Sequence, residues 1–336
     1  MRGRKIAVSV AVAMFTTLLG GSVTGPALAA DPIAYNGRAF AVSVNVSGQT
    51  TVLADSGELP SSGGNLEASS LTGLAPALTG DTLHASTIGQ GDRTRSEASM
   101  GSLVVTAGLV TVSADLAMSR ATATRHGSQV LLSGTSHVTG LAINGLPVLV
   151  TGQPNQSIPL PEGQLIINEQ TTSTAGAMKS ITVKAVHLTV GDVDAVVGSS
   201  RAGATNGAAS CSSTADSATG GGWVQPSFQP KQSFGFVGGI RHNGNIHGHL
   251  VFVDHATNNR LKGTVTAYTV GGPTLRTMDG EGELNNEPAQ FSLTVNDAGE
   301  PGTSDTFELA YASQTGGGIA TGTLGGGNIQ IHEPCS

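Results

Sequence analysis

The sequence predicts an all-β protein: two antiparallel β-sandwich or open-barrel domains joined by a Gly/Ser/Ala-rich linker. Three observations predict it. Aromatic residues are 4% and charged residues 12% of the chain, while glycine is abundant, so Ser, Thr, Val and Ala dominate what remains. β-Branched side chains suit pleated surfaces, and glycine supplies the positive φ angles of tight turns. Short runs alternate apolar and polar residues at period two, with Gly, Pro, Asn and Ser clusters between them.

Residues 1–29 read as a signal peptide. Arg2, Arg4 and Lys5 precede an apolar run from Ile6 to Leu19, and Ala27-Leu28-Ala29 is a small-residue cleavage site. The mature chain is expected to begin near Ala30 and to carry no transmembrane anchor, since no later apolar run reaches about 18 residues. Residues 30–198 are expected as the first domain. There Phe40, Val42, Val44 and Val46 share a face, and further strands are expected at 103–114, 129–133, 138–150, 163–168 and 180–190. The stretch 112–124 also tolerates a helix by composition and is assigned as strand. Residues 56–92, rich in Gly, Ser and Thr, are expected as long loops.

Residues 199–220 hold nothing larger than alanine among their apolar residues apart from Cys211, which marks a linker. The second domain, 221–336, is expected as a β-sandwich module. Phe291, Leu293 and Val295 alternate with polar residues, as do Phe307, Leu309 and Tyr311, and the turn-forming stretch Asp297–Gly302 makes the two runs a hairpin. Other strands are expected near 233–240, 246–254, 261–270, 274–279, 318–324 and 328–332. No repeat period points to a solenoid.

The formal net charge is −7, and removal of the signal peptide leaves 13 basic against 23 acidic side chains, or −10. With no basic stripe, nucleic acid and an anionic membrane surface are disfavoured as partners. Cys211 and Cys335 are the only cysteines. In an oxidising compartment an even pair is expected to form a disulfide, here clasping the two ends of the second domain.

Two stretches resemble a known family. Residues 154–198 run PNQSIPLPEGQLIINEQ, then ITVKAVHLTV and GDVDAVVGSSRAG. They are similar to the bacterial choice-of-anchor P proteins, with Asn168, Glu169, Gln170, His187 and Gly198 matching the pattern. Residues 221–332, with GGGWVQP, SFGFVGG, HLVFVDHATNNRLKGT and FSLTVNDAGEPGTSDTFEL, resemble the β-rich module that often follows that domain. The resemblance implies an exported surface or secreted protein and carries no activity or cofactor. The signal peptide has no cysteine for lipidation and the C-terminal residues no hydrophobic tail, unlike the anchored members.

Several residue sets have the chemistry of a site. His247 and His249 are spaced as metal ligands on one strand face, with His242 and His255 nearby; the simpler reading is a solvent-exposed polar face and an Asp254–His255 pair fixing a turn. Asp297, Glu300 and Asp305 could offer oxygens to calcium, yet Asp at a turn commonly binds its own backbone. Glu169 and His187 form either an acid–base pair or a strand-end network. Trp223, Tyr35, Tyr268 and Tyr311 are the only aromatic groups suited to sugar stacking apart from phenylalanines. No G-x-S-x-G elbow, H-E-x-x-H, P-loop or dinucleotide fingerprint occurs in the mature chain. These features predict a non-enzymatic exported structural or interaction protein whose partner is an extracellular or cell-wall component. The alternatives are an exported hydrolase with a dispersed active site and a metal-dependent adhesin.

Overall fold

The computed structural model describes residues 32–75, 77–208 and 215–333, and from Pro32 onward the chain forms one compact unit. Its described residues are all-β. The strands of the N-terminal part are β1 (Tyr35–Val46), β2 (Gln49–Asp55), β3 (Gly64–Ala75), β4 (Leu78–Gln90), β5 (Arg93–Ala107), β6 (Val110–His126) and β7 (Gln129–Thr139). They continue through β8 (Ala142–Ile143), β9 (Leu146–Pro147), β10 (Gln156–Leu160), β11 (Gly163–Ala175), β12 (Met178–Val190) and β13 (Val193–Ala204). The C-terminal part holds β14 (Asp216–Val224), β15 (Gln232–Ile240), β16 (Ile246–Asp254), β17 (Asn259–Val270), β18 (Leu275–Leu284), β19 (Glu287–Asn296), β20 (Thr306–Ser313) and β21 (Gly317–His332).

One sheet has the order β10-β11-β12-β13-β1-β2, and a second has the order β3-β4-β5-β6-β8-β9 with β7 also on β6. They face each other as a sandwich around Val42, Leu103, Val112, Leu165, Leu188 and Val197. The strands β14 to β21 form a closed barrel rather than the sandwich or open barrel expected, because β14 pairs with both β15 and β21. Eight strands leave room only for side chains. Phe234 and Phe307 stack with ring centroids 4.0 Å apart inside it, and the glycines facing these aromatics make room: a Cβ on Gly263 would lie 2.5 Å from the Phe291 ring.

The six-stranded sheet is creased along one transverse row. Asn168, Ala185, Gly198, Ala41 and Ala54 fall opposite one another on β11, β12, β13, β1 and β2, between the flanking pairs Ile167↔Val186 and Glu169↔Lys184, Val186↔Val197 and Lys184↔Ser199, and Val42↔Leu53 and Phe40↔Asp55. Alternate members are left-handed: Asn168 at φ 53, Gly198 at φ 61 and Ala54 at φ 48. One such residue reverses the inward phase of its strand. In β13, Ala195 and Val197 point into one core cluster, whereas Ala202 and Ala204 point into another. The other sheet carries left-handed Thr82 and Ser102. At the neck between the clusters Ala39, Ala85 and Ala98 meet, and the sheets come close enough for Thr94 Oγ1 to donate to the Gly203 carbonyl at 2.7 Å and Ser96 Oγ to that of Arg201 at 2.6 Å.

The strands β4 and β5 are buried on both faces. Odd-numbered Leu83, Ala85 and Thr87 face the sandwich, while His84 lies over Gly235 of the barrel, where an added Cβ would come within 2.7 Å of the His84 Cβ. Ser99 of β5 sits over Gly221 in the same way. This corrects the expectation of loops over 56–92, which contribute β3 and β4. Period two disappears when both faces are covered, and small side chains are what two close neighbours require. The expected linker 199–220 is corrected for the same reason: 199–204 complete β13 and 216–220 begin β14. Residues 318–332 form one strand rather than two, 138–150 hold the end of β7 and the two-residue strands β8 and β9 in place of one long strand, and 112–124 lie within β6 as strand. The signal peptide, Cys211 and Cys335 lie outside the described residues.

The crease yields opposite outcomes at two positions. Replacing Ala54 with glycine removes left-handed strain of about 1 to 2 kcal/mol against a smaller entropic cost, so Ala54→Gly is expected to raise stability by about 0.5 to 1 kcal/mol. At Gly198 a Cβ would lie 3.1 Å from Ala185 Cβ in a left-handed backbone, so Gly198→Val should lower stability by at least about 2 kcal/mol. Urea unfolding checks both; a destabilised Ala54→Gly protein contradicts the crease.

Candidate functional site

The outward faces of β5, β6 and β7 meet one end of the barrel in a cleft of about 660 Å³. Arg95, Arg120 and His137 reach it from the sheet, and Glu300, Asn328 and Gln330 from the barrel. The barrel side is shaped by the β19–β20 loop. Asp305 accepts the N–H of Ile329 and of Ala298 at 2.9 Å each, and Asp297 accepts those of Ile331 at 2.9 Å and Gly299 at 3.2 Å. These bonds fold the loop against β21 and carry Glu300 to the cleft.

Glu300 Oε1 accepts a short hydrogen bond from Arg120 Nη1 and another from Gln330 Nε2 at 3.2 Å. Behind Arg120 lies Glu97, 2% exposed, with Oε2 3.6 Å from Arg120 Nε. Burial lifts the Glu97 carboxyl to about 7 against the pull of Arg120. Burial also draws the Arg95 guanidinium down to about 10, helped by Arg120 and Arg93. His137 accepts the Gly327 N–H at 3.1 Å and is held below its ordinary range by burial, and half-buried His332 is pushed well below its ordinary range by desolvation and by the three arginines. The chemistry assembled here is anion recognition, with hydroxyls of Thr122, Thr135 and Ser136 around it.

The residues singled out from sequence go elsewhere or take other parts. His247 and His249 do share a face, and that face is covered rather than exposed to solvent: His247 is 8% exposed, its Nδ1 is 3.0 Å from Glu67 Oε2, and the His249 ring lies 5.8 Å from that of His84. The cause is that β3 and β4 pack there. His255 instead approaches Ser233 Oγ at 3.1 Å and Asp81 at 3.6 Å, and the exposed His242 stays apart from these contacts. Among the described residues no group of three or more His, Cys, Asp or Glu is arranged to hold a metal ion. Asp254 fixes the turn by itself, accepting the Ala256 N–H at 2.8 Å, in place of the expected Asp254–His255 pair. The calcium reading loses Asp297 and Asp305 to backbone amides.

Glu169 and His187 do pair, with Oε2 2.5 Å from Nδ1, and Lys184 Nζ joins Glu169 at 3.0 Å. Despite partial burial, Lys184 and His187 hold the Glu169 carboxyl below its ordinary range. The cluster lies on the face of the six-stranded sheet turned away from the core, since neighbouring Val186 and Leu188 point inward. Tyr35, Tyr268 and Tyr311 are buried, and Trp223 lies over Gly325 and Gly326 with Lys231 Nζ 4.5 Å above its ring. The cleft residues Arg95 and Arg120, and Glu97 behind them, were missed. Their one signal is alternation, Arg93-x-Arg95-x-Glu97, which places three charges on one strand face.

Sandwich, shared sheet and packed barrel define the class: an all-β protein with a cationic cleft at an internal junction. No family model, curated protein or solved structure matches the chain.

The buried groups fix a pH optimum. Folded Glu97 keeps a proton up to about 7 that the unfolded chain releases near 4.5, so this group makes stability fall as pH rises through that window. Asp305, lifted by burial to about 6, acts in the same direction. Burial lowers His84 to about 3 and His249 to about 4, so the unfolded chain alone is protonated up to about 6.5 and stability rises with pH; His137 and His332 add to this. Four histidines outweigh two acids, placing maximum stability near pH 6.5. Glu97→Gln is expected to abolish the decline from pH 6.5 to 7.5 in urea-unfolding curves, while His249→Gln flattens the acidic limb; a Glu97→Gln curve parallel to wild type contradicts the assignment.

Proposed function

We propose that this is an exported, non-enzymatic surface or extracellular interaction protein that holds its ligand in the junction cleft. The observation that carries the reading is the cleft itself: a concave site of ligand size where two arginines, amides and hydroxyls converge at the meeting of two subassemblies. Export rests on residues 1–29. The choice-of-anchor resemblance belongs to the same proposal, and its matching residues Asn168 and Gly198 hold left-handed positions in the crease, as backbone-determined motif residues would. The ligand is expected to be an extracellular or cell-wall component.

One observation favours a hydrolase as second reading. Glu97, protonated up to about 7, and the Glu300 carboxylate both address Arg120, and a proton-holding acid beside an ionised carboxylate is the pairing that glycosidases use. Against it, Glu97 lies behind Arg120 and not on the cleft wall. Turnover of aryl glycosides that disappears in Glu300→Gln would establish the second reading; absence of turnover is expected.

The proposal includes a Cys211–Cys335 disulfide. Gln90 Nε2 donates to the carbonyls of both Ala215 and Glu333 at 3.0 Å, so one side chain gathers positions four residues after Cys211 and two before Cys335. Such a bridge closes a loop of roughly 120 residues, worth about 4 to 5 kcal/mol in the chain-entropy model. Fractionation should find the protein in medium or cell wall with no thiol titratable until reductant is added. An even cytoplasmic distribution would refute export, and two free thiols in the unreduced, unfolded protein would refute the bridge.

A further inference from the structure

We infer that the junction cleft binds a small polyhydroxylated monocarboxylate, such as a uronic sugar, with Arg95 as partner of the carboxylate. This rests on the reading of the cleft as a ligand site and names what it takes.

Arg95 is the point of departure. Among the described residues no carboxylate lies within 4.0 Å of its guanidinium, and its buried Nε finds no protein partner. The acids that could have served it are engaged: Glu300 by Arg120 and Gln330, Glu97 by Arg120, and Asp297 and Asp305 by backbone amides. A guanidinium withdrawn from water without a counter-charge is costly, and a ligand carboxylate meeting its fork recovers that cost with two parallel hydrogen bonds. The placement is selective, since the whole chain is net acidic at −7 while the cleft wall carries the guanidinium groups of Arg95 and Arg120 against the one carboxylate of Glu300.

The rest of the wall chooses the body of the ligand. Thr122, Thr135 and Ser136 offer both donors and acceptors, and Gln170, whose amide N–H groups are taken by Gly134 and Asn168, offers its carbonyl oxygen; this is the pattern hydroxyl groups satisfy. No Phe, Tyr or Trp lines the cleft, so recognition proceeds through hydrogen bonds and not through stacking. Glu300, with 49% of its side chain exposed, stands on the barrel side of the same cleft and disfavours a doubly charged group, which sets a carboxylate above a phosphate. A volume of about 660 Å³ admits one or two sugar rings.

Isothermal titration of the full chain at pH 7 with sodium glucuronate, glucose, glucose 6-phosphate and propionate tests this. Glucuronate is expected to bind, with each of the other three weaker by at least about tenfold. Arg95→Met should weaken glucuronate binding by at least about tenfold, and Arg95→Lys by less. Should Arg95→Met fail to fold, Thr122→Glu, which adds a carboxylate to the cleft wall, must produce the same loss. Glucuronate affinity unchanged in Thr122→Glu and in a folded Arg95→Met overturns the inference. Glucose or propionate binding as tightly as glucuronate also overturns it while leaving a ligand site in place, whereas heats absent for all four at millimolar concentration overturn it and remove the support for the cleft as a sugar-acid site.

Discussion

Everything in this molecule is arranged around a sheet that has no free face where β4 and β5 run. One side of these strands is pressed against the six-stranded sheet, close enough for Thr94 and Ser96 to bond to backbone carbonyls across the gap. The other side bears on the barrel through Gly221 and Gly235. Close approach on both sides demands small side chains, so Ser, Ala, Thr and Gly replace the usual apolar-in, polar-out alternation. Burial of apolar area per residue is correspondingly modest. Cohesion comes from the larger cores on either side: the aliphatic clusters of the creased sandwich and the phenylalanine-filled barrel.

The same sandwiching explains where the ionisable groups are perturbed. Where the barrel covers β4, β5 and β6, an ionisable side chain on the covered face loses most of its water. Hence His84 of β4, and His249 facing it from β16 of the barrel, are forced neutral, Glu97 retains its proton to about 7, and Arg95 is left short of a counter-ion. Other contacts across the junction are matched: His247 with Glu67, Arg260 Nη1 with the Leu71 carbonyl at 3.1 Å, and Lys231 with Asp115. The cleft is the part of the junction where the two walls diverge. The barrel is also locked at its first strand, where Arg276, 1% exposed, forks onto Asp216 at 2.7 and 2.8 Å and Tyr268 donates to the same carboxylate at 2.5 Å.

How far the sequence was legible follows from wetness. The β19–β20 hairpin was readable because each strand has one face in water, so Phe291, Leu293, Phe307 and Leu309 alternate with polar residues. The stretch 56–92 was not, because two covered faces erase that alternation. In the six-stranded sheet the crease hides the pattern differently: the phase flips in mid-strand, leaving neighbours such as Ala185 and Val186 both buried in the same core. Asn168 and Gly198 matter through their left-handed backbone, which no side-chain pattern announces. The cleft was illegible because Arg120 and Glu300 come together only through the docking of the barrel on β6. The histidines misled for the same reason, since nothing local says that β3 and β4 cover them.

The central claim is that β4 and β5 tie sandwich and barrel into one cooperative body. Native-state hydrogen exchange on the full chain tests it most directly, by comparing the opening free energies of amides in β5 with those in β14 and β15. The account predicts that the slowest amides of all three strands exchange through one shared global opening, with the same free energy and the same denaturant dependence. Exchange of β14 and β15 through a separate, lower-energy opening that leaves β5 protected would contradict it.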